Sequence, residues 1–90
     1  MPVLSKDEIQ ARLKSLDGWK LDDGELEKKY QFAGFEESMA FVNRVAALAT
    51  AADHHPDISI KYDRVKLTLS THSEGGVTEK DFALIGQIDG

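Results

Sequence analysis

The sequence predicts an α+β domain: a four-stranded antiparallel sheet with helices packed on one face, in the order α-β-β-α-β-β-α. Three observations lead there. Two pairs of alternating segments are each joined by two residues, which is the spacing of β-hairpins. Three other segments carry apolar residues at helical spacing, and two of them open on cap-like motifs. The helical and extended segments also alternate along the chain, as a layer of helices over a sheet requires.

The first helix is predicted over residues of about 6 to 16. Ser5 and Glu8 stand three apart as a capping box, Leu4 and Ile9 as a hydrophobic staple. Ile9, Leu13 and Leu16 make its apolar face, and Gly18 supplies the stop. Trp19 to Leu21 and Leu26 to Phe32 then flank Asp23-Gly24, a strong type I′ hairpin signal. Leu26, Tyr30 and Phe32 share one face of the second arm; Glu25, Glu27, Lys29 and Gln31 share the other. Lys28 interrupts the apolar face and suggests a rim or edge position.

From Phe35 to Asp53 the period becomes helical, with Phe35, Met39, Val42, Val45, Ala46, Ala49 and Ala52 in one wide stripe. Pro56 disfavours helical geometry at His55, so this helix ends in or just before the His54-His55 pair. Ile58, Ile60 and Tyr62 alternate with polar residues, as do Val65, Leu67 and Leu69. Reading Asp63-Arg64 as the turn makes these a second hairpin. Thr78-Glu79-Lys80-Asp81 resembles another cap and opens a last helix carrying Phe82, Ile85 and Ile88.

Ninety residues fit one domain, here 1–90, and are too few for two. The chain has no cysteine, which excludes disulfides, thiolate zinc sites and cysteine nucleophiles. A net charge of −5 without a basic run disfavours direct nucleic-acid binding. The N-terminal segment has no apolar signal core and no stretch reaches membrane-spanning length, so a soluble, cytoplasmic protein without membrane contact is expected.

The chemistry resides in three histidines. If Tyr62 and Val65 flank the second turn, Ile58 faces Leu69, and His55 comes opposite His72. Cross-strand neighbours lie roughly 4.5–5.5 Å apart, so His54, His55 and His72 should share a pocket. His72 has the parity of Lys66, Thr68 and Ser70, away from the core. Imidazole, with an ordinary pKa of roughly 6.5, suits proton transfer near neutrality. Asp53 and Asp81 are candidates for orienting a ring. Zinc is a competing reading, but adjacent His54 and His55 must point apart, unlike histidines spaced along one helix face. Local reading makes Asp81 first a helix cap, and Trp19 either core or the floor of a ring-binding pocket. No Ser-His-Asp set is visible around Ser5 or Ser70.

Asp53-His54-His55-Pro56, Tyr62, Val65, Leu69, Ser70-Thr71-His72, Gly76, Thr78 and Asp81, with Gly18-Trp19 upstream, resemble the signature of the pterin-4a-carbinolamine dehydratases. The resemblance covers nearly the whole chain. It implies a homodimer or a homotetramer of dimers that removes water from 4a-hydroxytetrahydropterin to give quinonoid dihydropterin, in tetrahydropterin recycling. It also implies no metal and no organic cofactor. By position His54, His55 and His72 would be catalytic. Asp53, Ser70, Thr71, Ser73, Asp81 and Trp19 would be substrate-binding. Departures are Thr50, where members often carry an acid, Ile58 for an aromatic and Ile60 for asparagine. An alternative is a non-catalytic binding module that stabilises a transcription factor's dimer, or activity on another pterin. A protein partner, an aromatic amino acid hydroxylase or a transcription factor, is not readable in the residues.

Overall fold

The computed structural model describes residues 2–89. Its elements are α1 (Lys6–Leu13), β1 (Lys20–Asp22), β2 (Glu25–Gln31), α2 (Phe35–Ala52), β3 (Asp57–Lys61), β4 (Arg64–Leu69), a 3₁₀ turn (His72–Glu74) and α3 (Glu79–Asp89). The four strands form one antiparallel sheet in the order β1-β2-β4-β3, so each hairpin contributes one central and one edge strand.

Local chemistry accounts for the element ends. Ser5 and Glu8 make both bonds of the capping box, each at 3.1 Å. α1 stops at Leu13, earlier than the apolar spacing implies. The next residues tighten into i→i+3 bonds, Ser15 N to Arg12 O and Leu16 N to Leu13 O. Asp23 and Gly24 both adopt left-handed backbone, as the type I′ turn demands. α2 ends on Asp53 in the left-handed region (φ 50°), and His54 N–H closes back on the Ala49 carbonyl at 3.1 Å.

The core lies between the helices and one face of the sheet. Leu26, Val65, Leu67 and Leu69 meet Val45, Leu84 and Ile85 there, all at most 1% exposed. Truncating one of them to alanine would cost about 2–5 kcal/mol. The other sheet face carries the alternate residues, among them Lys29, Lys66 and Thr68. The exposed edge is β3, where Ile58 and Ile60 remain 36% and 37% accessible.

Two expectations are corrected. Lys28 does not mark an edge, because β2 is central and pairs with both β1 and β4. Its ammonium escapes the apolar face by lying 4.7 Å over the Tyr30 ring and 3.3 Å from the Asp89 carboxylate. The second hairpin turns at Tyr62-Asp63, so Lys61 pairs with Arg64, and Ile58 pairs with Leu67 rather than Leu69. The cause lies on the neighbouring strand: the Asp63 carbonyl accepts from Phe32 N–H at 2.8 Å and continues the β2–β4 ladder. Tyr62 takes the left-handed position (φ 54°), its ring stacked on Phe35. The two-residue shift preserves which face each side chain occupies, since the strand period is two. It does remove His55 from direct opposition to His72, and the ladder ends at Asp57–Thr68.

Candidate active site

The site forms where three chain segments meet at one end of the sheet: the end of α2, the exit from β4 and the start of α3. Thr78 caps α3 by accepting from Lys80 N–H (3.2 Å), while the Asp81 carboxylate reaches back to Thr78 N–H (2.9 Å). That local cap leaves Asp81 completely buried and aimed at the neighbouring segments. Its Oδ2 also accepts from the Thr71 hydroxyl (2.9 Å), which shares a further contact with the Thr78 hydroxyl (2.7 Å). Its Oδ1 meets Nε2 of His54 at 2.5 Å. Buried carboxylates require such partners, and the side chain of Asp81 finds them in Thr71, Thr78 and His54.

This network orients a ring. Thr71 and Thr78 donate to Oδ2, and Oδ1 lies 2.5 Å from Nε2 of His54, so the Asp81 carboxylate fixes the orientation of that ring. The other nitrogen, Nδ1, makes no hydrogen bond among the described residues. The left-handed Asp53 cap turns His54 inward, its side chain only 11% exposed, and leaves His55 exposed. His72, at the start of the 3₁₀ turn, is exposed as well. That turn is closed by Glu74 N and Gly75 N on the Thr71 carbonyl and by the Thr71–Gly76 bridge.

A cleft of about 380 Å³ collects Asp53, His54, His55, Ser70, Thr71, His72, Ser73 and Lys80 along its walls. All three histidines therefore border one space despite the shifted register. The convergence comes from the bend after Leu69 and the α2 cap, rather than from a ladder pair. Of the expected substrate-binding residues, Asp53, Ser70, Thr71 and Ser73 line the cleft. Asp81 sits beneath it, behind His54. Trp19 does not line it: the indole is 5% exposed in the core and donates to Asp89 at 2.7 Å. Lys80 is a wall residue that sequence reasoning misses; its position beside the Thr78 cap is the available signal, since the same turn carries Asp81 to His54.

Comparison with known proteins decides the family. The model of the family "Pterin 4 alpha carbinolamine dehydratase" matches residues 2–90. The chain belongs to this family. Among provisionally named pterin-4-alpha-carbinolamine dehydratases, one from Chloroflexus aurantiacus is 51% identical over 89 residues, covering 99% of this chain and 96% of the relative. Another, from Sulfolobus acidocaldarius, is 48% identical over 86 residues, covering 96% and 94%. A crystal structure described as a transcriptional coactivator/pterin dehydratase from Brucella melitensis superposes with a TM-score of 0.92 at 35% identity, over 97% of this chain and 95% of that one. A pterin dehydratase-like protein identified as a RuBisCO assembly factor in the alpha-carboxysome is similar with a TM-score of 0.69 at 25% identity, covering 82% and 88%. The pterin dehydratase fold thus occurs under names that denote catalysis and names that denote assembly. No helix among the described residues is long and apolar enough to cross a membrane.

Proposed function

We propose that this protein dehydrates 4a-hydroxytetrahydropterin to quinonoid dihydropterin by imidazole acid–base catalysis, in tetrahydropterin recycling. The observation that carries this reading is the single cleft bordered by three imidazoles, one of them held by a buried carboxylate. The reaction breaks the C4a–O bond and removes the proton on N5. An imidazolium at the rim, His72 or His55, gives its proton to the departing oxygen so that water leaves instead of hydroxide. His54 receives the N5 proton on Nδ1, and Asp81 stabilises the cation formed, as a buried carboxylate does behind a catalytic histidine. The flat donor–acceptor edge of a pterin suits the polar wall running from Ser70 to Ser73.

The test is a dehydration assay on chemically generated 4a-hydroxypterin, run in chelator with wild type and the three histidine variants. Catalysis by wild type is expected, with His72→Ala losing most activity while folded. Full activity in that variant would remove His72 from the mechanism.

A second reading, a protein-binding role, draws support from the names of the two structural neighbours and from the exposed β3 edge. The same edge supports assembly into a homodimer or a homotetramer, since unpaired strands invite pairing. A chain that captures one partner protein and binds no pterin would favour this reading.

A further inference from the structure

The cleft reading leaves two carboxylates unused. β2 and β3 flank β4, and their first residues, Glu25 and Asp57, reach toward the end of β4 from opposite sides. His72 arrives from the chain leaving β4. One ligating atom from each of the three lies within 4.8 Å of the other two. Among the described residues, no lysine or arginine forms an ion pair with Glu25 or Asp57. Two carboxylates are thus held beside an imidazole with no cationic side chain to offset them. Glu25 is also oriented: Ser70, itself 8% exposed, donates its hydroxyl to Oε2 at 2.9 Å. Its other oxygen remains for a second partner, the arrangement by which outer groups fix a metal-binding carboxylate.

We propose that Glu25, Asp57 and His72 form a binding site for a zinc-type divalent cation, and that its occupation switches off the cleft by taking the ring of His72. The inhibitory half rests on the dehydratase reading; the binding half does not. Donors about 2.0–2.2 Å from zinc in a tetrahedral site lie roughly 3.4 Å apart, so the trio needs only side-chain rotation to close. One imidazole with two carboxylates favours zinc, cobalt or nickel over magnesium and calcium, which prefer all-oxygen shells. Three protein ligands leave a position for water. The site is built from residues outside the acid–base set, except for His72. A cation bound there occupies a nitrogen lone pair and holds the ring toward Glu25 and Asp57.

The experiment uses tag-free, chelator-stripped protein titrated with Zn²⁺ against a chromophoric chelator. Expected are one ion per chain, and Zn²⁺-dependent displacement of the His72 ring resonances with those of His54 unmoved. Glu25→Gln and Asp57→Asn should each weaken binding more than tenfold, and Ser70→Ala about tenfold. Excess Mg²⁺ or Ca²⁺ should not compete. In the dehydration assay, Zn²⁺ at a concentration that saturates wild type should inhibit it, while Glu25→Gln keeps its basal rate and resists inhibition. Binding that survives both carboxylate variants, or that moves His54 instead of His72, would overturn the proposal, as would no binding at all. Stoichiometric binding by a chain that never dehydrates the pterin would leave the cation site standing and sink the catalytic reading alone.

Discussion

Helix α3 carries two aspartates, Asp81 in its first turn and Asp89 at its end, and each gathers side chains from distant parts of the chain. Asp89 accepts from the Trp19 indole (2.7 Å), the Tyr30 hydroxyl (2.8 Å) and the Lys28 ammonium (3.3 Å). Asp81 accepts from Thr71, Thr78 and His54. The two are alike in the number of partners and in the work of fastening α3 to the rest of the fold. They differ in what the partners can do next. Indole, phenol and ammonium end their networks at Asp89, whereas His54 has a second nitrogen beside a cleft. Asp81 is fully buried while Asp89 is exposed, and with equal numbers of partners only the buried one holds a ring that borders the histidine cleft.

Breaking the Asp81 network should produce the largest effect. Asp81→Asn places an amide among groups that already donate, so activity should fall about 10²–10³-fold, mainly in kcat. The unfolding free energy should fall by about 2–3 kcal/mol, because a buried donor loses its acceptor. Denaturant melts together with the dehydration assay separate the two losses. Asp89→Asn should cost roughly 1–2 kcal/mol and leave kcat of the folded protein unchanged. If the two variants lose activity alike, the contrast between them fails.

A smaller effect sharpens the Asp89 side. Burial, and next the hydrogen bond to Asp89, push the Tyr30 phenol well above its ordinary 10.0. A group with a raised folded pKa lends stability that is complete below the unfolded value and declines as pH rises beyond it. Unfolding midpoints should therefore drop as pH climbs past 10.0, and Tyr30→Phe should flatten that part of the slope. Glu8 serves as a solvated reference. The Ser5 backbone N–H first, and its hydroxyl second, hold Glu8 below its ordinary 4.5, so its contribution is present above that value and lost as pH falls through the lowered one. Ser5→Ala should cost about 1 kcal/mol at neutral pH, read from the thermal midpoint, and leave the dehydration rate untouched.

The layout of helices and strands is readable because each period is repeated by several residues, and Asp23-Gly24 and the two capping motifs punctuate it with specific chemistry. The second turn lies one residue earlier than its sequence suggests, which moves the pairing by two. Tyr62 is not a residue type that announces a left-handed backbone, and the bond that sets the turn, Phe32 to Asp63, comes from a strand thirty-one positions earlier. The site is half legible for a related reason. Thr78 and Asp81 reveal a cap in any sequence, and the histidines are few enough to group. That the cap's carboxylate also holds His54 depends on a contact twenty-seven residues away. Asp89 offers no pattern at all; its partners lie 59 to 70 residues distant. Ring chemistry draws Trp19 toward the cleft in a sequence reading, while its indole N–H is committed to the far end of α3.

The left-handed closure after α2 makes that helix a ruler. Each residue added to a helix rotates the chain beyond it by about 100°. One insertion ahead of Asp53 would swing the adjoining imidazoles around the axis, carrying the inward ring away from the Asp81 side chain and turning its neighbour toward the protein. Length in this segment therefore decides which imidazole faces Asp81 as much as the identity of the side chains does.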